Sequence, residues 1–356
     1  MSRFLNERYA ALEAYTPGEQ PRDKKYIKLN TNESPFPPSV HVVEALNDRE
    51  IEDLRLYPDP ECKGLREKLG GFFGCRAENV FVSNGSDDIL NFAFMAFFDR
   101  GVRFADITYG FYKVYAELHG VRHEIVPLRA DLSVDVEDYT GCGCGVVLAN
   151  PNAPTGLSLS VGEIEEIVRS NRDQVVVIDE AYVDFGGETA IPLVEKYDNL
   201  LVVRTYSKSA SLAGGRLGFA IGSRELISDL EKIKYSTNPY SLNRLTLIAG
   251  EKTVEDADYY RKNCRLIAEN RDYTIRELRR LGFSVTDSKA NFVFAESSEI
   301  DGETLYRALR ARGILVRFFG KGRIKNYNRI TVGTRAEMET LICAILEILK
   351  ERGRSE

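Results

Sequence analysis

Between about residue 80 and residue 223 the chain repeats one rhythm: a short run of β-branched and other apolar residues, a polar turn, then a stretch with helical spacing. VFVSNG leads into DDILNFAFMAFFDR, VRFADITYG into FYKVYAELHG and then HEIVPL, and GVVLANPNAPTG into SVGEIEEIVRSN. QVVVIDEAY, NLLVVRTYSK and GFAIGS complete the series. Such alternation predicts an α/β fold with a mostly parallel sheet. VVLA, VVVI and LLVV are apolar at every position rather than at alternate ones, so these strands are expected inside the sheet, with helices over both faces.

After residue 224 the rhythm changes. Longer charged helices, ENRDYTIRELRRLG and DGETLYRALRARG, alternate with NFVFAE, ILVRFF and RITVGT, and AEMETLICAILEILKERG has the apolar spacing of an amphipathic helix. The expected division is an N-terminal arm over 1–35, ending in the proline cluster SPFPP, a large domain over 36–240, and a smaller α+β domain over 241–356. A chain of 356 residues, 43% of them hydrophobic, can build such cores.

Its 48 Lys and Arg are scattered among 54 Asp and Glu, a net charge of −6, so nucleic acid and anionic membranes are poor partners. No apolar run approaches the roughly 18 residues that cross a bilayer, and MSRFLNERYAALEAY lacks the continuous apolar stretch of a signal peptide. A cytoplasmic protein is expected. Six thinly spread cysteines fit reduced thiols better than a disulfide framework. Cys142-Gly-Cys144 has no second pair, and His119 and His123 are parted by Gly120 at a helix-to-strand junction, so no metal is expected.

In an open α/β sheet the ligand crevice lies beyond the carboxyl ends of the strands. NGSDD, TYG, NPNAPTG, DEAY and YSK each follow such a strand, so five distant segments should meet at one sheet edge. Asp179 follows four apolar residues, where desolvation makes an unpaired carboxylate costly. Lys208 closes the next strand among apolar and small residues, which should depress its pKa and suit it to Schiff-base chemistry. A structural ion pair between Asp179 and Lys208 is the plain alternative.

Gly85-Ser86-Asp87 opens a helix directly after a strand and offers backbone N–H groups to a phosphate; Arg216, closing SLAGGR, adds a guanidinium. GxxxxGK[ST] is absent, as is a GxGxxG between strand and helix, which disfavours nucleotides. A reactive lysine, a carboxylate for a ring nitrogen and a phosphate cradle together suit pyridoxal phosphate.

LNTNESPFPPS, YPDPECKGLREKL, SNGSDDIL, NPNAPTG, VVVIDEAYVDF, RTYSKSASLAGGRLGF, ANFVFAE, GILVRFF and RITVGTRAE occur in that order. With them the chain resembles the histidinol-phosphate aminotransferases, within the fold-type I pyridoxal-phosphate-dependent transferases, over nearly its whole length. The resemblance implies a large domain with a mostly parallel, helix-covered sheet, a smaller α+β domain, and a homodimer with shared active sites. It makes Lys208 the Schiff-base lysine, Asp179 the partner of the pyridinium nitrogen, Tyr182 a donor to the cofactor's phenolic oxygen, and Tyr109 a ring stacked on the cofactor. Ser86, Asp87 through its backbone N–H, Ser207 and Arg216 are implied to hold the phosphate, with Tyr57 reaching the phosphate of the neighbouring subunit. Arg317 and Arg329 are implied to bind the substrates' anionic groups, and Tyr15, Asn32 and Glu33 to close the pocket from the arm.

The family's usual NPNNPTG differs here at Ala153, so a donor to the phenolic oxygen is missing unless Asn152 or a water replaces it. The expected reaction is transamination of L-histidinol phosphate with 2-oxoglutarate in histidine biosynthesis. An aromatic amino acid aminotransferase and a threonine-phosphate decarboxylase of the same fold are the competing readings. Intact Lys208, Asp179, Tyr182 and Arg216 argue against a non-catalytic binding module. A Ser207–Lys208 hydrolase dyad is disfavoured because adjacent strand residues point to opposite faces.

Overall fold

The computed structural model describes residues 2–352. A short arm strand, β1 (Ile27–Lys28), precedes helices α1 (Val40–Ala45), α2 (Asp48–Glu52) and α3 (Lys63–Phe73). Next come β2 (Val80–Ser83), α4 (Gly85–Ala96), β3 (Val102–Ala105), α5 (Phe111–His119) and β4 (His123–Val126). The alternation continues with β5 (Gly145–Ala149), α6 (Val161–Ser170), β6 (Val176–Asp179), β7 (Leu200–Thr205) and β8 (Gly218–Gly222). Helices α7 (Arg224–Thr237), α8 (Arg244–Glu255) and α9 (Ala257–Arg280) lead to β9 (Phe283–Val285) and β10 (Phe292–Ser297). The chain then forms α10 (Gly302–Ala311), β11 (Ile314–Leu315), β12 (Arg317–Phe318), β13 (Asn328–Thr331) and α11 (Arg335–Arg352).

Seven strands form the large sheet in the order β2-β8-β7-β6-β5-β3-β4. From β7 to β4 all neighbours are parallel, whereas β8 is antiparallel to both β7 and β2. No helical crossover separates β7 from β8, so the chain returns in the opposite direction. Every residue of β6 and β7 is buried, as expected of strands covered on both faces. Val176, Ile178, Leu200 and Val202 enter one core with Leu65 and Leu69 of α3 and Ile164 of α6. Their alternates Val177, Leu201 and Val203 enter the opposite core with Phe94 of α4, Tyr112 of α5 and Leu230 of α7.

The second sheet is antiparallel, ordered β12-β13-β10-β9, and packs α9, α10 and α11 around a separate core. The passage between cores does not coincide with the expected break after residue 240. Leu247 and Ala249 of α8 belong to the large core, while Cys264 and Ile267 of α9 belong to the small one, so the crossing comes at Asp256 between the two helices. The change in charge density along the sequence reflects the exposed sides of these helices, not the core they face. The arm is likewise shared: β1 pairs in parallel with β11, and Leu29, 1% exposed, lies in the small core.

His119 ends α5 and His123 begins β4. Cys142 and Cys144 are free thiols in a turn, with Sγ atoms 3.7 Å apart. Among the described residues there is no His, Cys, Asp and Glu cluster suited to a metal, and no helix is long and apolar enough to cross a membrane.

Candidate active site

The polar segments that close the large-sheet strands converge on a cavity of about 370 Å³. Ser86 and Asp87 enter it from the start of α4, Tyr109 from the turn before α5, and Ala149 and Ala153 from the end of β5. Asp179 and Tyr182 come from β6 and its following turn, Ser207, Lys208 and Arg216 from the segment between β7 and β8.

Asp179 is 4% exposed. Its Oδ2 accepts a hydrogen bond from Tyr112 Oη at 2.8 Å and its Oδ1 one from the Ala181 N–H at 3.2 Å. Burial pushes its carboxyl up to about 6 even though both hydrogen bonds favour the ionised form. Lys208 Nζ donates to the carbonyl of Thr31 at 3.2 Å. Burial, and then the positive charge of Arg329, bring its amine down to about 8. Among the described residues neither group forms an ion pair, so the structural pairing of Asp179 with Lys208 is not what the fold builds.

The phosphate-cradle residues meet where glycine is required. Gly85 has φ +83°, and a Cβ there would lie 2.8 Å from Arg216 Nη2. A Cβ on Gly218 would lie 2.4 Å from the Ser86 nitrogen, so only glycine lets β8 pass behind the α4 N-terminus. Arg216 Nη2 donates to Asp87 Oδ2 at 3.0 Å, and Tyr109 Oη donates to Asp87 Oδ1 at 2.7 Å. The Asp87 carboxylate thus links the Tyr109 ring and the Arg216 guanidinium, both of which line the cavity, while its backbone and that of Ser86 form the start of α4. Ser207 Oγ accepts from Thr205 Oγ1 at 3.0 Å. An anion-holding end, an acid and an amine, all unneutralised by ions except at Arg216, fit the dimensions and chemistry of pyridoxal phosphate.

Two of the expected contact residues have their side-chain amides engaged within the protein. Asn152 does not line the cavity: its Nδ2 donates to the Ile107 carbonyl and to Thr155 Oγ1, and its Oδ1 accepts from Thr108 Oγ1 at 2.8 Å. With its amide used inside the NPNAPTG turn, Asn152 is no replacement for the donor absent at Ala153. Asn32 does not line the cavity either; its Nδ2 donates to Tyr182 Oη at 3.0 Å instead. From the arm, Thr31, Glu33 and Gln20 face the cavity. Glu33 is held below the usual carboxylate range, burial notwithstanding, by hydrogen bonds from Lys28 and Thr31.

The remaining candidates lie at the rim or farther out. Tyr15 stacks on Phe111 with ring centroids 4.3 Å apart, 6.3 Å from the Tyr109 ring. Arg317 donates to the carbonyls of Thr16 and Pro17. Arg329 donates to the Asn30 carbonyl at 3.1 Å, and its Nε is buried without a partner. Tyr57 is 80% exposed and stacks on Tyr240 at 4.5 Å, away from this chain's cavity.

Sequence reasoning missed Tyr112 and Thr31. Tyr112 shares the buried face of α5 with Tyr115 and Ala116, a signal for burial but not for a bond to Asp179. Thr31 acts through a carbonyl, which no side-chain pattern announces.

Neighbouring residues face the other way. Arg204 Nη1 donates to Glu180 Oε2 at 3.2 Å and its Nη2 to Asp184; Ser209 also donates to Asp184, and Thr189 and the Ala190 N–H donate to Glu180. Burial opposes the charge of Arg204, but Asp184 and Glu180 outweigh it and raise its pKa. A second cavity, about 420 Å³, adjoins this cluster. The buried Arg204 at its edge is paired with two carboxylates, unlike Lys208 in the first cavity.

The chain matches the model of the aminotransferase class I and II family over residues 24–345. It is 48% identical over 353 residues to a histidinol-phosphate aminotransferase of Brachyspira hyodysenteriae, which spans 98% of this chain and 100% of that one. Its identity to one of Marinomonas sp. is 49% over 350 residues, 97% of this chain and 99% of the other. The crystal structure of histidinol-phosphate aminotransferase from Sinorhizobium meliloti in complex with pyridoxal-5'-phosphate has the same fold, with a TM-score of 0.81 at 24% identity over 92% of each chain. Since the family match spans both cores as well as the lysine and acid that share the cavity, the chain belongs to the class I and II aminotransferases.

Proposed function

We propose that the protein transfers the amino group of L-histidinol phosphate to 2-oxoglutarate, giving imidazole acetol phosphate and glutamate, with pyridoxal phosphate as its cofactor. The carrying observation is an amine and an acid on adjacent strand ends, Lys208 and Asp179, both facing one cavity and neither neutralised by an ion pair. Full-length relatives of nearly half identity that bear the name histidinol-phosphate aminotransferase support the substrate.

Pyridoxal phosphate supplies an aldehyde that condenses with amines and a ring that accepts the electron pair left at the substrate's Cα. Lys208, its pKa lowered to about 8, keeps a share of neutral amine near pH 7 and serves both as nucleophile and as carrier of the Cα proton. Asp179, oriented by Tyr112 and the Ala181 N–H, would hold the protonated ring nitrogen, whose charge would give this buried carboxylate the partner it lacks in the protein alone. Tyr182 would donate to the phenolic oxygen, a role that the side chain of Ala153 could not share. Tyr109 would stack on the ring. Ser86 and Asp87 offer backbone N–H groups to the phosphate, with Ser207 and Arg216 completing the cradle.

Arg329, with a buried donor still unmet, and Arg317 receive the phosphate of one substrate and the carboxylate of the other in alternate half-reactions. Tyr15 and Glu33 bound that end of the site. The exposed Tyr57–Tyr240 stack suits a homodimer in which Tyr57 reaches the phosphate of the neighbouring site.

A side-by-side assay of amino donors tests the reading. Glutamate should form fastest with histidinol phosphate. Preference for phenylalanine would favour the aromatic aminotransferase, and CO₂ release from threonine phosphate without glutamate the decarboxylase.

A further inference from the structure

We propose that Asn32 is a positioning residue that fixes the direction of the Tyr182 hydroxyl and so makes it a hydrogen-bond donor into the cavity. The inference rests on the cofactor reading above and extends it to a residue that does not reach the cofactor.

The direction follows from counting hydrogens. The backbone N–H of Asn32 donates to Thr331 Oγ1 at 2.9 Å, which commits that oxygen as an acceptor. Its single hydrogen is then directed to the other polar atom in reach, 3.0 Å away at the end of the Asn32 side chain. An atom that accepts there must be the amide oxygen, which leaves the NH₂ end of Asn32 facing Tyr182 Oη at 3.0 Å. Tyr182 therefore accepts from Asn32. A phenol has one hydrogen, and with a donor already on the Asn32 side it is free only for an acceptor in the cavity that Tyr182 lines.

The surroundings hold this arrangement in place. Asn32 is 1% exposed, and Asn291 Nδ2 donates to its carbonyl at 2.9 Å. Its φ of +57° is one that asparagine adopts more readily than most side chains. The Tyr182 ring is fixed edge-on against Phe292, with centroids 5.1 Å apart. Ala153, on the cavity wall where the family's usual residue would donate, has no polar side chain, so the orientation of this one phenol matters more here.

The test uses the protein loaded with pyridoxal phosphate and reads the pH midpoint of its visible absorbance, without substrate. A donor to the phenolic oxygen stabilises the deprotonated chromophore and lowers that midpoint. Asn32→Gly removes the amide while suiting the positive φ, and should raise the midpoint by about one pH unit, the scale of a lost hydrogen bond to a charged group. In a Tyr182→Phe background the same change should add nothing, because the hydroxyl it orients is gone. Asn32→Asp keeps the shape but sets an acceptor against the phenol; it should raise the midpoint at least as far, again only when Tyr182 is present, and carries the test if the glycine variant folds poorly. An unchanged midpoint, or an equal rise with and without the Tyr182 hydroxyl, overturns the proposal. A parent chain that develops no visible band on loading would instead remove the cofactor reading beneath it.

Discussion

The two faces of the β6 and β7 strand ends present buried charge in opposite conditions. On one face Asp179 and Lys208 are held by Tyr112 and by the Thr31 carbonyl, neutral partners that orient without neutralising. On the other, one residue along each strand-end segment, Glu180 and Ser209 join Arg204 and Asp184 in a cluster whose cation has two carboxylates. Asp179 on one side and Glu180 and Arg204 on the other are all buried, so burial alone does not distinguish chemistry from architecture. The counter-charge does differ: burial displaces Asp179 and Lys208 toward neutrality with no ion pair to oppose it, whereas at Glu180, which burial also raises, the Arg204 guanidinium pulls the other way.

The sharpest break between the faces is between activity and stability. Lys208→Ala should lower turnover by on the order of 10⁴-fold or more and abolish the borohydride-stable cofactor adduct, while the urea midpoint of the cofactor-free chain stays level or rises because an unpaired buried amine has gone. Arg204→Ala should do the reverse, costing about 3–5 kcal/mol in urea unfolding by stranding the buried Glu180 carboxylate, with Glu180→Gln recovering part of the loss. A Lys208 variant that unfolds the chain, or an Arg204 variant of full stability, would erase the contrast.

Arg329 sharpens the picture on the cavity side, since its Nε lacks a protein acceptor. Arg329→Ala should raise the KM for 2-oxoglutarate on the order of 50-fold and leave the affinity for pyridoxal phosphate nearly unchanged. Equal losses in both titrations would place the guanidinium outside the substrate's reach.

The smallest effect is in the pH dependence of the cofactor-free chain. Asp179 has a folded pKa of about 6 against an ordinary 3.8, so the folded state binds the extra proton, and stability from this group falls as pH rises from about 4 to about 6. Lys208, at about 8 against 10.5, has the opposite sign: the unfolded chain holds more protons, and stability rises with pH across that interval. Asp179→Asn should flatten the acid limb of a thermal-midpoint profile and leave the alkaline limb intact.

Much of this was legible in the sequence because strand ends carry their own punctuation. Fully apolar runs such as VVVI located the buried strands, and the polar residues after them located the cavity, so Asp179, Lys208, Ser86 and Arg216 could be placed together before any coordinates. Partners were harder. Asn152 looked like a cofactor ligand by its type and place, yet its amide closes its own turn against Ile107, Thr155 and Thr108. Asn32 looked like a pocket residue, and it is the backbone turn at φ +57° that aims it at Tyr182 instead. Helix α8 follows the same lesson: its composition resembles the helices after it, while its packing belongs to the sheet before it.

The two-residue pairing of β1 with β11 has a mechanical consequence. It fastens the arm to the smaller lobe, and the same arm then extends a carbonyl across to the ammonium group on the larger one. A movement of one lobe against the other would therefore pull on the hydrogen bonds that join arm and large lobe, Lys208 to Thr31 and Ser211 to Ser34 among them.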